Sequence, residues 1–178
     1  RRLRRREIRP VTGPDARGET ESPTVPTLLA GLAAAGSAGM LAGAFAFQHL
    51  GGLAPCEMCL WQRWPHALGI ALGVLLLVPF LRESRILRLL GLGSMLVGAG
   101  IALLHTGVER GWWEGPTECS GGPGGDLSAD QLLDAIRAAP LVRCDEVAWS
   151  MMGLSMASWN GIASVALALF WAASLRRS

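Results

Sequence analysis

Cys56 and Cys59 stand in the run Pro55-Cys56-Glu57-Met58-Cys59-Leu60-Trp61-Gln62-Arg63. A Cys-x-x-Cys pair can form a strained, readily exchanged disulfide, ligate a metal, or carry haem. Covalent haem needs His directly after the second cysteine, where this chain has Leu60. A noncovalent haem bundle needs axial pairs, which three histidines supply once at most. Zinc held by four thiolates usually shows two close pairs, whereas Cys119 and Cys144 lie 25 positions apart in a Gly-rich acidic loop. No metal is therefore expected.

Disulfide chemistry leaves two readings, a noncatalytic membrane protein with stapled outer loops and a redox relay. A Cys-x-x-Cys ring closes too small a loop to stabilise much by entropy, so it makes a poor staple. Arg63, four residues after Cys59 and near a helix start, would favour thiolate. Arg63 and His105 each have a plainer reading, the first as an arginine snorkelling to headgroups, the second as an interfacial hydrogen-bonder. The topology below brings both to the membrane face that carries Cys59.

Half of the residues are hydrophobic and 17% are charged, too apolar for an ordinary soluble domain of 178 residues. Residues 1–26 are charged and rich in Pro, Gly and Thr, and read as a disordered cytoplasmic tail. Four apolar runs follow, at about 27–50, 64–81, 89–108 and 149–175, and predict an all-α membrane protein built as a four-transmembrane-helix bundle over 27–178. The first run is longer than a signal-peptide core and lacks a small-residue cleavage pattern, so it is expected to be retained. Gly39-x-x-x-Gly43 and Gly69-x-x-x-Gly73 place small residues on one helical face, where they would let helices approach closely.

All sixteen cationic residues are Arg, seven of them in the first seventeen positions. Membrane topology explains that cluster better than nucleic acid, which is not expected as a partner. The tail, the 82–88 turn and the C-terminal end are basic, whereas Glu109 to Glu146 carries eight acidic residues against three Arg. The positive-inside rule then puts both termini in the cytoplasm and both remaining loops, 51–63 and 109–148, outside with all four cysteines. Trp61, Trp64, Trp112, Trp113 and Trp149 flank that outer boundary and read as an aromatic belt. In the long second loop, Ser128-x-x-Gln131 is a capping box, and Leu132, Leu133 and Ile136 predict a short amphipathic helix.

These residues resemble the DsbB family of bacterial disulfide-bond formation proteins. Phe47-Gln48-His49, Pro55-Cys56-x-x-Cys59 and Arg63 are similar to its first outer loop and the start of its second span. His105-Thr106, Cys119, Cys144, Trp149 and Gly153-Leu154-x-Met156-x-x-Trp159 are similar to the remainder. In the vitamin K epoxide reductase family the loop pair precedes the Cys-x-x-Cys, the reverse of the order here.

The resemblance implies a thiol:quinone oxidoreductase of the bacterial inner membrane, with its cysteines on the periplasmic side. It would reoxidise a DsbA-like thioredoxin-fold partner and pass the electrons to a membrane quinone, either ubiquinone or menaquinone. It further implies that Cys119, paired with Cys144, is attacked by the reduced partner, and that Cys144 exchanges with the Cys56–Cys59 disulfide at Cys56. Cys59 would face the quinone as a thiolate supported by Arg63, with His105 near the quinone head group. Gln62 stands where the best-known member has Glu, and no role is assigned to it.

Overall fold

The computed structural model describes residues 25–116, 128, 130 and 142–176. The tail expected over 1–26 lies almost wholly outside the described residues, as do Cys119 and most of the amphipathic segment expected after Ser128.

Helix α1 runs Val25–His49, and its buried residues Pro26, Ala30, Ala33 and Ser37 form one narrow stripe of small side chains. Leu28, Leu32 and Phe45 stay exposed on its other faces, as suits a helix whose surroundings are hydrocarbon. After an irregular stretch, Cys56 adopts extended backbone and caps α2, Glu57–Trp61, with its sulfur accepting from the Cys59 N–H at 3.2 Å. Gln62 is helical at φ −65° and ψ −19° and joins α2 to α3, Arg63–Leu75, almost without a break. Pro65 lacks the N–H that would bond the Trp61 carbonyl, which accounts for the joint there.

Helix α3 stops at Leu75, earlier than the span expected over 64–81. Val78, held extended before Pro79, leads instead into a 3-10 turn at Pro79–Leu81. Its 13 residues amount to about 20 Å of helix. Helix α4, Arg85–Glu109, starts at Ser84, whose hydroxyl accepts from the Leu87 N–H at 3.4 Å. Residues 149–155, expected to open the last span, include a two-stranded hairpin instead. Its strands are β1, Ser150–Met151, and β2, Leu154–Ser155, and its turn is Met152 and Gly153 at φ 54° and 77°. Two successive positive φ values make the tight turn that matches strand twist. Helix α5, Met156–Arg176, follows. Among the described residues, α1, α4 and α5 are long and apolar enough to cross a membrane.

The main contacts join α1 to α3 and α5, and α4 to α3 and α5, so the helices close into a ring. Ala30, Ala33, Leu72, Leu76, Met95, Leu167, Ala168 and Trp171 fill its interior. Glycines decide how near the helices come. A Cβ on Gly73 would stand 2.3 Å from that of Ala34, and one on Gly91 would stand 2.5 Å from the Trp171 ring. The close approach expected of Gly69 and Gly73 is therefore present. Gly39 and Gly43 differ, because nothing lies within 4 Å of where their Cβ atoms would be. They border a cavity rather than a helix.

Arg88, expected to face the cytoplasm as part of a basic turn, is fully buried. It donates to the carbonyls of Ser174 at 2.9 Å and Arg82 at 2.6 Å. A cation is favoured at the C-terminal end of a helix, and here one sits inside the bundle at the end of α5.

Candidate functional site

Capping α2 with Cys56 turns the Cys-x-x-Cys segment back on itself and leaves the two sulfurs 2.9 Å apart as free thiols. That is within about 1 Å of covalent S–S length, so a disulfide needs little movement. The pair shares protons unevenly. Cys56 donates to Cys59, and this bond together with burial pushes the Cys56 thiol well above its ordinary range. Cys59, accepting that bond, is held below its ordinary range, and Arg63 adds a smaller pull in the same direction that partly offsets the opposing charge of Glu109.

The two sulfurs face different surroundings. Cys56 packs in a buried cluster with Met58, Val108 and Cys144, and with Cys59 at its margin. It also lines a small cleft of about 40 Å³, together with His105, Glu109, Val142 and Arg143. Cys59 lines that cleft and also a larger cavity of about 310 Å³ between α1, the start of α3 and the start of α5. Gly39, Gly43 and Phe47 of α1 form one wall of the larger cavity, and Arg63, Trp149, Trp159 and Asn160 stand around it. Trp149, expected in the aromatic belt, is thus a cavity residue, tilted against Phe47 with ring centroids 5.1 Å apart. The Arg63 guanidinium lies 4.9 Å from the Phe45 ring centroid, and its buried Nε has no hydrogen-bond partner among the described residues.

A chain of side-chain hydrogen bonds connects the two sides. His105 Nε2 lies 3.6 Å from Cys56 Sγ and 3.8 Å from a Glu109 carboxylate oxygen. Its Nδ1 lies 2.7 Å from Gln62 Nε2, and Gln62 Oε1 accepts from Asn160 Nδ2 at 2.6 Å. Asn160 Oδ1 in turn lies 2.8 Å from His66 Nε2. Glu109 accepts from Ser155, which ties the hairpin end to α4.

Cys56, Cys59, Cys144, Arg63 and His105 stand near one another, with Arg63 on the large cavity and His105 on the small cleft beside Cys56, while Cys119 lies outside the described residues. Gln62, His66, Glu109, Ser155 and Asn160 also join the site, though nothing in the sequence assigned them a role there. Gln62 and Asn160 are 98 positions apart, and no local pattern announces such a pair.

Two chemistries suit the sulfurs. The ligand atoms of Cys56, Cys59 and His105 lie within 4.8 Å of one another, close enough to hold a metal ion. Two thiolates on one tetrahedral zinc would stand about 3.8 Å apart, given a Zn–S distance of about 2.3 Å, so the observed 2.9 Å suits sulfur–sulfur exchange better. A dithiol beside an apolar cavity with an unpaired donor suits two-electron transfer to an apolar ring bearing oxygen acceptors.

The family model for disulfide bond formation protein DsbB matches residues 26–174. The chain is similar to disulfide bond formation protein B of Pasteurella multocida, 36% identical over 118 residues that cover 64% of this chain and 65% of that protein. Its counterpart in Aromatoleum aromaticum is 33% identical over 75% of this chain and 82% of its own length. That of Methylococcus capsulatus is 31% identical, with 75% and 84% covered. No solved structure matches the chain.

Proposed function

We propose that this chain, which belongs to the DsbB family of disulfide bond formation proteins, reoxidises a DsbA-like thioredoxin-fold dithiol protein and delivers the electrons to a membrane quinone. One observation carries this reading: of two adjacent sulfurs, Cys56 packs with Cys144, and Cys59 opens on the large cavity beside Arg63. The cavity fits a quinone head group. It is mostly apolar, it is at the small end of the volumes that hold small molecules, and the Arg63 Nε–H is a buried donor lacking an acceptor among the described residues.

The relay runs in balanced exchanges. A thiolate of the reduced partner attacks Cys119 of a Cys119–Cys144 disulfide, forming a mixed disulfide and releasing the Cys144 thiolate. Cys144 attacks Cys56, breaking the Cys56–Cys59 bond and releasing Cys59 as a thiolate. The partner's second thiol resolves the mixed disulfide and leaves with its own disulfide formed. Cys119 then attacks Cys144, restoring the loop bond and releasing Cys56. A quinone bound beside Cys59 supplies the sink for two electrons and two protons as Cys56–Cys59 re-forms. Throughout, Arg63 favours negative charge at Cys59, His105 stands beside Cys56, and the apolar walls exclude water.

A sink of that kind is needed on thermodynamic grounds. With the established potentials of about −120 mV for DsbA and about −200 mV for an ER-like thiol buffer, reoxidation by thiols would run uphill by roughly 3.7 kcal/mol.

In the membrane this reading places four spans, α3 and the 3-10 turn after it making the second, with residues 1–26 as a cytoplasmic tail and both termini cytoplasmic. The protein then sits in the bacterial inner membrane with its cysteines on the periplasmic side. Purified full-length protein should reduce a quinone analogue only when a reduced thioredoxin-fold partner is supplied. Full turnover by Cys59→Ala or Cys119→Ala would sink the relay.

A further inference from the structure

His66 lies one helical turn beyond Gln62, on the cavity side of α3, and is 2% exposed. A neutral imidazole has one protonated nitrogen and one bare acceptor, and which is which follows from its neighbours. The bonds around Gln62 settle this for both histidines. Gln62 Nε2 lies 3.3 Å from the Met58 carbonyl, which only accepts, so that atom is the amide nitrogen and not the oxygen. The same nitrogen donates to His105 Nδ1, leaving His105 with its proton on Nε2, toward Cys56 and Glu109. Gln62 Oε1 must then accept from Asn160 Nδ2, which directs Asn160 Oδ1 to accept from His66 Nε2–H. His66 Nδ1 is therefore a bare acceptor. It is buried and has no hydrogen-bond partner among the described residues.

We propose that His66 positions the reduced acceptor in the cavity, its Nδ1 accepting a hydrogen bond from a hydroxyl of the hydroquinone. The inference rests on the quinone reading above and adds a polarity to the site. Arg63 lines the cavity and its guanidinium carries only N–H donors, which suit a carbonyl oxygen, and the oxidised ring presents only acceptors. A bare nitrogen gains nothing from a carbonyl and something from an O–H. The cavity thus carries a donor suited to either form of the ring and an acceptor suited only to the reduced one. Gln62 and Asn160 act through His66 as positioning residues that hold its tautomer.

The test compares binding of the two redox forms. The full-length chain with both Cys56→Ser and Cys59→Ser, which leaves no thiol on the cavity to reduce or add to the ring, is titrated with a short-tailed benzoquinone and a short-tailed naphthoquinone, each as quinone and as quinol. Trp149 and Trp159 on the cavity wall report occupancy through their fluorescence. His66→Phe should weaken quinol binding about tenfold, as expected for one lost hydrogen bond to a buried site, and leave quinone binding within about twofold. Asn160→Leu keeps His66 but frees its Nε2, and should narrow the quinol preference in the same direction. In ¹⁵N-histidine spectra His66 should show a bare Nδ1 and a protonated Nε2, and Asn160→Leu should mix the tautomers. Equal weakening of both forms by His66→Phe, no weakening of either, or a protonated Nδ1 in the parent protein would each overturn the role of His66 while leaving the relay standing. A parent protein that bound none of the four probes would overturn the quinone reading and this inference together.

Discussion

Gln62 Nε2 lies 2.7 Å from His105 Nδ1, and this bond ties the helix that carries the Cys-x-x-Cys to the histidine beside Cys56. Gln62 is 6% exposed and also contacts Met58 and Asn160. Its value lies in carrying a donor and an acceptor on one short side chain, which a carboxylate or an apolar residue cannot do.

Gln62→Leu should therefore lower unfolding stability by about 1–3 kcal/mol, because His105 Nδ1 and the Asn160 amide lose partners they cannot replace inside the bundle. Gln62→Glu should behave differently. Once ionised, its carboxylate has no proton to give His105, so Nδ1 takes one up, visible in ¹⁵N-histidine spectra as a change at His105 as pH rises through the ionisation of the acid. Thermal denaturation of both variants, with spectra of the second, checks the pair of expectations. Unchanged spectra in Gln62→Glu would mean that Gln62 does not set the His105 tautomer.

The uneven sharing of protons at the sulfurs predicts a pH signature. Cys59 is lowered chiefly by the bond from Cys56, and Cys56 is raised by the same bond and by burial. In the reduced protein, iodoacetamide should alkylate Cys59 at lower pH than Cys56, and Cys56→Ala should shift the Cys59 profile upward. Stability of the reduced form follows by linkage. The unfolded chain binds more protons at Cys59 between its lowered folded value and the ordinary thiol value of about 8.5, so stability rises with pH across that window. Above about 8.5 the folded chain keeps the Cys56 proton that the unfolded chain loses, and stability falls. A maximum near that pH, absent in the Cys56→Ala, Cys59→Ala double variant, is the expected melting profile.

Arg88 offers a stability prediction away from the chemistry. It lies 17 residues before His105 on α4, about 25 Å along the helix. Glu83 is 3.9 Å away and largely exposed, so the two carbonyls matter more than that ion pair. Arg88→Met keeps the volume and removes the donors, and should cost about 1–3 kcal/mol while leaving the quinone titration unchanged. Thermal melts and quinone titrations of one preparation separate the two effects, and a shifted titration would show coupling along α4.

The parts legible in the sequence were those governed by short-range chemistry. The Cys56–Cys59 pair and Arg63 follow from residue types a few positions apart, and the presence of long apolar helices follows from hydropathy. Helix α3 is shorter than its apolar run because Pro79 constrains Val78, a backbone effect that hydropathy does not register. The hairpin before α5 depends on positive φ at Met152, a residue that does not advertise a turn. The bonds among His66, Gln62, His105 and Asn160 required three helices to be packed first. Arg88 shows the converse case, a charge whose position in the sequence suggested solvent and whose carbonyl partners hold it inside.

Gly39 and Gly43 carry the last prediction, because their small size serves the cavity and not the helix contact that their spacing suggests. Both line the cavity that Cys59 and Arg63 also line, and both have open space where a Cβ would project. Gly43→Ala should therefore be tolerated, with about 1 kcal/mol gained from helix propensity to offset any crowding. Gly43→Leu should place its side chain inside a cavity of about 310 Å³ and compete with the ring for it. Quinone reduction should fall at least tenfold, with a raised apparent quinone requirement. Exchange between reduced partner and the loop cysteines should persist, because that half of the relay lies on the Cys56 side. Single-turnover oxidation of the partner, measured beside steady-state quinone reduction, distinguishes the two halves. Loss of both in Gly43→Leu, with the fold intact, would mean that the cavity wall also supports the exchange site. Loss of neither would place the quinone elsewhere.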